Sequence, residues 1–206
     1  MPPTNIDRAT LGRALRGARA QRDRVVLLHV GETALSTPEK IASLAEVVAL
    51  LRIADARAVV LLDDAPAGAA RRFEAAIAGH GERGVTLAAA TAVTVHRIDA
   101  APTPTFISVI DVALVGQLAA LRFVPIIALP VLDVEGVASE VPAGEVAHAA
   151  ATLLGATALV CVDAHRDPAL DDGTRRVIRA SSAALDALLE DILLGPPPVT
   201  ATEVTP

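Results

Sequence analysis

The chain has 206 residues, a net charge of −6, 52% hydrophobic residues and 1% aromatic residues. This length is enough for one α/β domain with a sizeable core. The acidic balance and the scarcity of aromatic residues exclude a typical nucleic-acid surface, which needs basic and stacking groups. No apolar run reaches the roughly 18 residues of a membrane-spanning helix, so we expect no membrane partner.

Two rare residue types narrow the chemistry further. Cys161 is the single cysteine, which rules out an intrachain disulfide and fits a reducing compartment. Residues 1–24 contain six arginines and no apolar segment of a signal peptide. The sequence therefore predicts a cytoplasmic protein. Lys40 is the single lysine, so chemistry that requires two lysines is excluded.

Strand and helix signals alternate along the chain. A helix with arginines on its polar face is expected at about 5–22, ahead of the first strand. Five apolar runs have the composition of strands buried on both faces of a parallel sheet: 25–30, 58–62, 105–110, 124–129 and 158–162. Further helices are expected at 37–54, 67–79, 111–122, 143–154 and 180–194.

Local signals refine three segments. Ser36 and Glu39 have the spacing of a capping box at the start of the helix at 37–54. Residues 85–98 alternate in part between apolar and polar, which favours an antiparallel excursion or edge hairpin. We predict a single α/β domain over residues 1–195, and a disordered tail over the proline- and threonine-rich residues 196–206. The βαβ pattern predicts a three-layer α/β/α sandwich with a mainly parallel sheet.

The stretches "RVVLLHVGETAL" (24–35), "VVLLDDAP" (59–66) and "FVPIIALPVLDVEG" (123–136) follow one another in this order. In order and outline they resemble the amino-acid kinase family, and the amino-terminal lobe of N-acetylglutamate kinases in particular. The resemblance runs over residues 9–195, and the third stretch is its most specific part. It implies a carbamate kinase-like fold and, for the family, ATP-dependent phosphorylation of an acylamino acid in arginine biosynthesis.

The residues at the family's working positions differ from its pattern. The resemblance places the phosphoryl-stabilising lysine at His29 and the two phosphate-binding glycines at Gly31 and Glu32. The family's His-Gly-Gly-Gly turn falls on a segment with Asp63 and Asp64. Its Asn-x-Asn-x-Asp motif falls on residues 140–144 and ends at Gly144, while the aspartate of its Thr-Asp pair is kept as Asp163. The resemblance covers the amino-terminal lobe alone, and we expect no counterpart of the family's nucleotide-binding lobe, which carries its second lysine.

Phosphoryl transfer depends on positioning and on neutralising charge at the phosphate oxygens. Since this sequence exchanges cationic and glycine positions for carboxylates, we expect no catalytic residues of the family type and no binding of ATP, Mg²⁺ or another cofactor. The first hypothesis is therefore a non-catalytic relative, a pseudokinase, that acts as a homodimer or through a protein partner.

Two alternatives stay open. If the strands are parallel, their carboxyl ends bring His29, Asp63, Asp64 and Asp163 to one end of the sheet, where open α/β sheets bind ligands. These residues are candidates for binding a small molecule, either as a binding protein or as an enzyme of changed chemistry. His29, Asp163 and His165 are candidates for binding a metal. The third hypothesis is a weak acylamino-acid kinase assisted by a second chain that supplies lysines.

Overall fold

The computed structural model describes residues 22–63, 65–88, 93–98, 105–129, 142–164, 176–183 and 185. Strands occupy β1 Val25–Val30, β2 Arg57–Leu62, β3 Arg83–Ala88, β4 Val93–Ile98, β5 Thr105–Ile110, β6 Phe123–Ala128, β7 Ala158–Val162 and β8 Arg176–Ala180. The α-helices of these residues are α1 Pro38–Ile53, α2 Ala69–Gly79, α3 Val112–Ala120 and α4 Ala143–Leu153.

Six strands form one parallel sheet in the order β3-β6-β2-β1-β7-β8, and β4 pairs with β5 in a separate antiparallel ribbon. The apolar runs that form β1, β2, β6 and β7 are buried as predicted, since both faces of these strands are covered. All strands of the main sheet point the same way, so the sheet has an amino end and a carboxyl end.

The two faces of the sheet have separate cores. On the first face, α1 and α2 contribute Leu44, Val48 and Phe73 against Leu28 and Val60. On the second face, α3 and α4 pack on the alternate residues of the same strands, which include Leu27, Val59 and Leu159. Because strand side chains alternate between faces, each inner strand feeds both cores. The fold is the predicted three-layer α/β/α sandwich.

Three local predictions were wrong. Residues 105–110 form a strand, but it pairs antiparallel with β4 and not in the main parallel sheet. The predicted hairpin at 85–98 is divided: 83–88 form a parallel edge strand beside β6, and only 93–98 are antiparallel. Ala180 ends a strand, β8, where the sequence predicted the start of a helix.

The start of α1 also differs in detail. Thr37, not Ser36, is the N-cap residue, and its side chain accepts a hydrogen bond from the Lys40 backbone N–H. Ser36 instead donates through its hydroxyl to the carbonyl of Thr33 at 2.8 Å. The capping-box spacing predicted the N-cap one residue too early. Ser36 is instead the C-cap residue of a short 3₁₀ helix, Glu32–Leu35, that precedes α1. The predictions for 5–22, for most of 180–194 and for 196–206 lie outside the described residues.

Candidate functional site

The candidate residues meet at the carboxyl end of the sheet. The strands β2, β1 and β7 are neighbours, and in their register His29 lies between Leu61 and Cys161. Asp63 and Asp163 follow directly after β2 and β7. Parallel pairing therefore places His29, Asp63 and Asp163 at one end of three adjacent strands.

His29 points to the second face of the sheet and is almost completely buried, with 1% of its surface exposed. Its Nε2 lies 3.5 Å from Oδ2 of Asp63, whose side chain is 14% exposed. Neither ring nitrogen of His29 makes a hydrogen bond, as judged over the described part of the chain. A buried polar atom without a partner costs about 1–3 kcal/mol of stability. In the absence of hydrogen bonds, packing and one long contact to a carboxylate hold this imidazole in place.

Asp163 faces a different partner. Its backbone is in the left-handed region, with φ of 47°, which aspartate tolerates better than most residues. Its N–H donates to the carbonyl of Ala180 at 3.0 Å, and its Oδ2 accepts from the N–H of Ser182 at 3.2 Å. Within the described residues, no ion pair joins Asp163 to His29. The carboxylate of Asp163 is thus used to hold the segment that follows β8.

Gly31 is enclosed by the end of β7. Its N–H donates to the carbonyl of Val162 at 2.9 Å, and a Cβ built at this position would overlap the carbonyl oxygen of Asp163. Its φ is −80°, so the glycine is not required by a left-handed turn. It is required by the close approach of the two chain segments, and its Cα is covered by protein.

The remaining candidate residues lie on other elements of the fold or outside the described residues. Glu32 opens the 3₁₀ helix and is exposed, while Gly144 is buried in the first turn of α4. The ammonium of Lys40 donates to the carbonyl of Thr33 at 2.9 Å and to the hydroxyl of Ser36 at 3.4 Å. The single lysine is therefore engaged with the turn that follows β1. Asp64 and His165 lie outside the described residues.

The described residues contain no group of three or more His, Cys, Asp or Glu side chains placed to hold a metal ion. They do bring together one carboxylate and one imidazole, at His29 and Asp63. Such a pair can accept and donate hydrogen bonds and can hold a proton. It does not offer the fixed positive charge that a phosphate group requires.

Sequence reasoning missed the role of Ser182. The residue lies just past β8, and the "ASS" segment that contains it was assigned to a helix. No motif connects Ser182 with Asp163, 19 residues earlier. Only the pairing of β8 with β7 brings them together, and the sequence signal for β8 was too weak to find it.

The parallel sheet enclosed by two helical layers is an α/β/α fold that the chain shares with structures of the amino-acid kinase fold. The chain is similar to N-acetylglutamate synthase from Neisseria gonorrhoeae, solved with coenzyme A and N-acetyl-glutamate: TM-score 0.71, 16% identity, covering 92% of this chain and 62% of that one. It is also similar to aspartate kinase from Synechocystis: TM-score 0.54, 13% identity, covering 72% of this chain and 30% of that one.

These likenesses establish the fold. The chain spans less than two thirds of the length of the synthase to which it is similar, 62%. No family model matches the sequence, and no curated protein matches it significantly. In the described part of the chain, no helix has both the length and the apolar character needed to cross a membrane.

Proposed function

We propose that this chain is a non-catalytic protein with the amino-acid kinase fold, a pseudokinase, which acts by associating with a second copy of itself or with a protein partner. The observation that carries the proposal is the end of β1. There, the position that the resemblance assigns to a phosphoryl-stabilising lysine is a buried histidine, His29, that contacts a carboxylate.

The electrostatics of this end of the sheet oppose a triphosphate. Removing one preorganised hydrogen-bond donor that stabilises negative charge in the transition state lowers the catalytic rate roughly 10²–10³-fold. Adding a carboxylate about 4 Å from a phosphate costs on the order of 4 kcal/mol at an effective dielectric of 20. Asp63 supplies such a carboxylate, and the carbonyl of Asp163 closes the approach to Gly31. Lys40 is already engaged by Thr33 and Ser36.

Support for association comes from the amino end of the sheet. Ile53 and Leu121, the terminal residues of α1 and the turn after α3, are 77% and 70% exposed. They flank Asp55, whose carboxylate contacts Arg22 at 3.3 Å and Arg122 at 3.2 Å. Exposed large apolar side chains beside an ion-paired cluster offer apolar surface that a second copy would bury.

A thermal-shift panel run beside light scattering tests the proposal. The ligands are ATP with Mg²⁺, N-acetylglutamate, arginine and divalent metals, and the dye must be external because the chain has no Trp and no Tyr. A ligand that binds only the folded state raises the melting temperature by mass action. We expect no shift with ATP and Mg²⁺ and a discrete oligomer. A clear, saturable shift with ATP and Mg²⁺ would overturn the proposal.

A second candidate function is small-molecule binding at the carboxyl end of the sheet. It is favoured by the two nitrogens of His29, which are buried and make no hydrogen bond with the described residues. Buried polar groups in native structures nearly always have partners, so an imidazole in this state fits a role in binding. We propose His29 and Asp63 as the core of this site. Participation of Asp64, Asp163 and His165, and a metal as the ligand, remain proposals for the same panel to test.

A further inference from the structure

The pair formed by His29 and Asp63 lies at the carboxyl ends of two adjacent strands, next to a place where the connections of the sheet change faces. The strand β2 leads into α2 on the first face, whereas its neighbour β6 is followed by α4 on the second face. Adjacent parallel strands whose connections leave on opposite faces open a crevice at their carboxyl ends. Asp63 directly follows β2, and its side chain contacts His29 of β1, the strand on the other side of β2 from β6.

The charge balance of the pair is incomplete. The Asp63 side chain is 86% buried, since 14% of it is exposed, and its contact with His29 is 3.5 Å long. Among the described residues it has no lysine or arginine partner. A largely buried carboxylate normally has a cationic or hydrogen-bonding partner. Asp63 therefore has unused capacity to accept hydrogen bonds and to neutralise a positive charge.

His29 has the complementary deficiency. Both its ring nitrogens are buried and make no hydrogen bond with the described residues. A neutral imidazole has one acceptor nitrogen and one donor nitrogen. An N–H donor that reached Asp63 would come within range of the nearest imidazole nitrogen, because only 3.5 Å separate Nε2 from Oδ2.

We propose that His29 and Asp63 form a subsite for a positively charged nitrogen group, such as the ammonium, amidinium or guanidinium group of a small molecule. The carboxylate of Asp63 pairs with the charge, and His29 accepts a second hydrogen bond from the same group. This inference rests on the second candidate function and names its ligand class. It reverses the charge preference that the resemblance to phosphate-binding kinases implies.

The test is a titration followed by NMR of the histidine side chains in the full chain. The imidazole signal of His29, one of five histidines, is assigned by its loss in His29→Gln. The probes are methylammonium, methylguanidinium and, as an anion, acetate, all at constant ionic strength. We expect a saturable change of the His29 signal with at least one of the cations and none with acetate.

Two matched variants separate a specific subsite from a general negative field. Asp63→Asn should weaken the cation response at least about tenfold, the size of effect expected for a charge-assisted hydrogen bond. Glu32→Gln removes one exposed carboxylate after β1 and should change the response by less than about twofold, as expected for a screened charge. Should Asp63→Asn fail to fold, Asp63→Ser replaces it.

The outcomes are distinct. The inference is overturned if neither cation gives a saturable response, if acetate gives the same response, or if Asp63→Asn and Glu32→Gln weaken it equally. Light scattering on the same samples reports the oligomer independently. An oligomer with no cation response rejects this subsite and leaves the association intact. A cation response in a monomer rejects the association and leaves the subsite intact.

Discussion

Gly31 is fixed by packing, and this gives a prediction at the scale of one residue. A Cβ at this position would overlap the carbonyl oxygen of Asp163, which is backbone and cannot rotate away. We therefore expect Gly31→Ala to lower the free energy of unfolding by about 1–3 kcal/mol, as overpacking of a well-packed site does. Urea denaturation followed by far-UV circular dichroism measures the change.

The matched control is Gly116→Ala in the interior of α3. An added Cβ there meets nothing within 4 Å, and alanine is the better helix former by about 1 kcal/mol. Gly116→Ala should therefore raise the free energy of unfolding. If both variants behave alike, the close approach between β1 and β7 is not what requires Gly31.

The residues of the candidate site show how far sequence can lead. Runs of apolar residues that end in polar ones predicted that His29, Asp63 and Asp163 would come to one end of the sheet, and adjacent strands place them there. The sequence did not distinguish the two aspartates, since each directly follows a buried strand. The difference is set by the backbone: Asp163 adopts φ of 47° and reaches Ser182, whereas Asp63 contacts His29.

At the scale of elements, Arg52 ties the end of α1 to the loop before β3. It is 3% exposed, donates through Nη1 to the carbonyl of Ala56 at 2.9 Å, and lies 3.5 Å through Nε from Glu82 Oε2. Removing one partner of a buried pair leaves an uncompensated charge. Because Glu82 is 22% exposed, water reduces this cost, and we expect Glu82→Gln to destabilise the fold by about 1–2 kcal/mol.

A double-mutant cycle with Arg52→Met checks this assignment, because it isolates the interaction from the loss of each side chain. The exposed pair between Arg57 and Asp23, with contact at 3.3 Å, is the control. Its coupling energy should stay below about 0.5 kcal/mol, as for most surface ion pairs. Equal coupling in the two cycles would contradict a special role for Arg52.

The start of α1 gives a prediction about pH. A hydrogen bond from its own backbone N–H, and then one from the Thr37 hydroxyl, holds the pKa of Glu39 below its ordinary value of 4.5. A carboxyl group whose pKa is lower in the folded state stabilises the fold above the unfolded pKa, and this contribution is lost as pH falls through the folded pKa. Glu39→Gln should therefore be less stable than the parent at neutral pH.

The difference in melting temperature between Glu39→Gln and the parent should shrink as pH falls below 4.5, the ordinary pKa of Glu39. Thermal melts in a pH series measure it. Since the Thr37 hydroxyl contributes to the effect, Glu39→Gln should show a smaller pH-dependent difference when it is introduced into Thr37→Ala. A difference that is constant across the series would show that the carboxylate of Glu39 is not stabilised by the helix start.

The sequence predicted strands correctly where amino-acid composition alone determines that a segment forms a strand. It failed where the pairing partner determines which sheet the strand joins. The bounds of β1 and β7 were predicted to the residue, since a strand buried on both faces is a continuous apolar run. For 105–110 the composition was right for a strand, but only the partner determines whether it joins the main sheet. Pro125 in β6 would argue against an inner strand. On the β2 side the paired residues of β6 begin at Ile126, whereas on the β3 side Pro125 lies opposite Val85 of the edge strand.

At the scale of the whole molecule, the proposed association makes a specific prediction about the amino end of the sheet. Ile53 and Leu121 are 77% and 70% exposed, so charged substitutions there remove little core packing. We expect Ile53→Arg combined with Leu121→Arg to convert a dimer into a monomer. The interface between two copies would then bury four added arginines, whose charges repel one another. Light scattering over a range of protein concentrations measures the mass.

The stability of the two forms should separate as well. A dimer melts at a temperature that rises with protein concentration, whereas a monomer does not, so the parent should show this dependence and the double variant should not. Ala113→Arg, an exposed position in the first turn of α3 and thus at the other end of that helix, should leave both mass and concentration dependence unchanged. If the parent is monomeric at every concentration, or if the double variant keeps the parent's mass, then Ile53 and Leu121 do not hold two copies together. The exposed apolar residues at the amino end would then bind a different protein partner or none. Small-molecule binding at the carboxyl end of the sheet would become the favoured function.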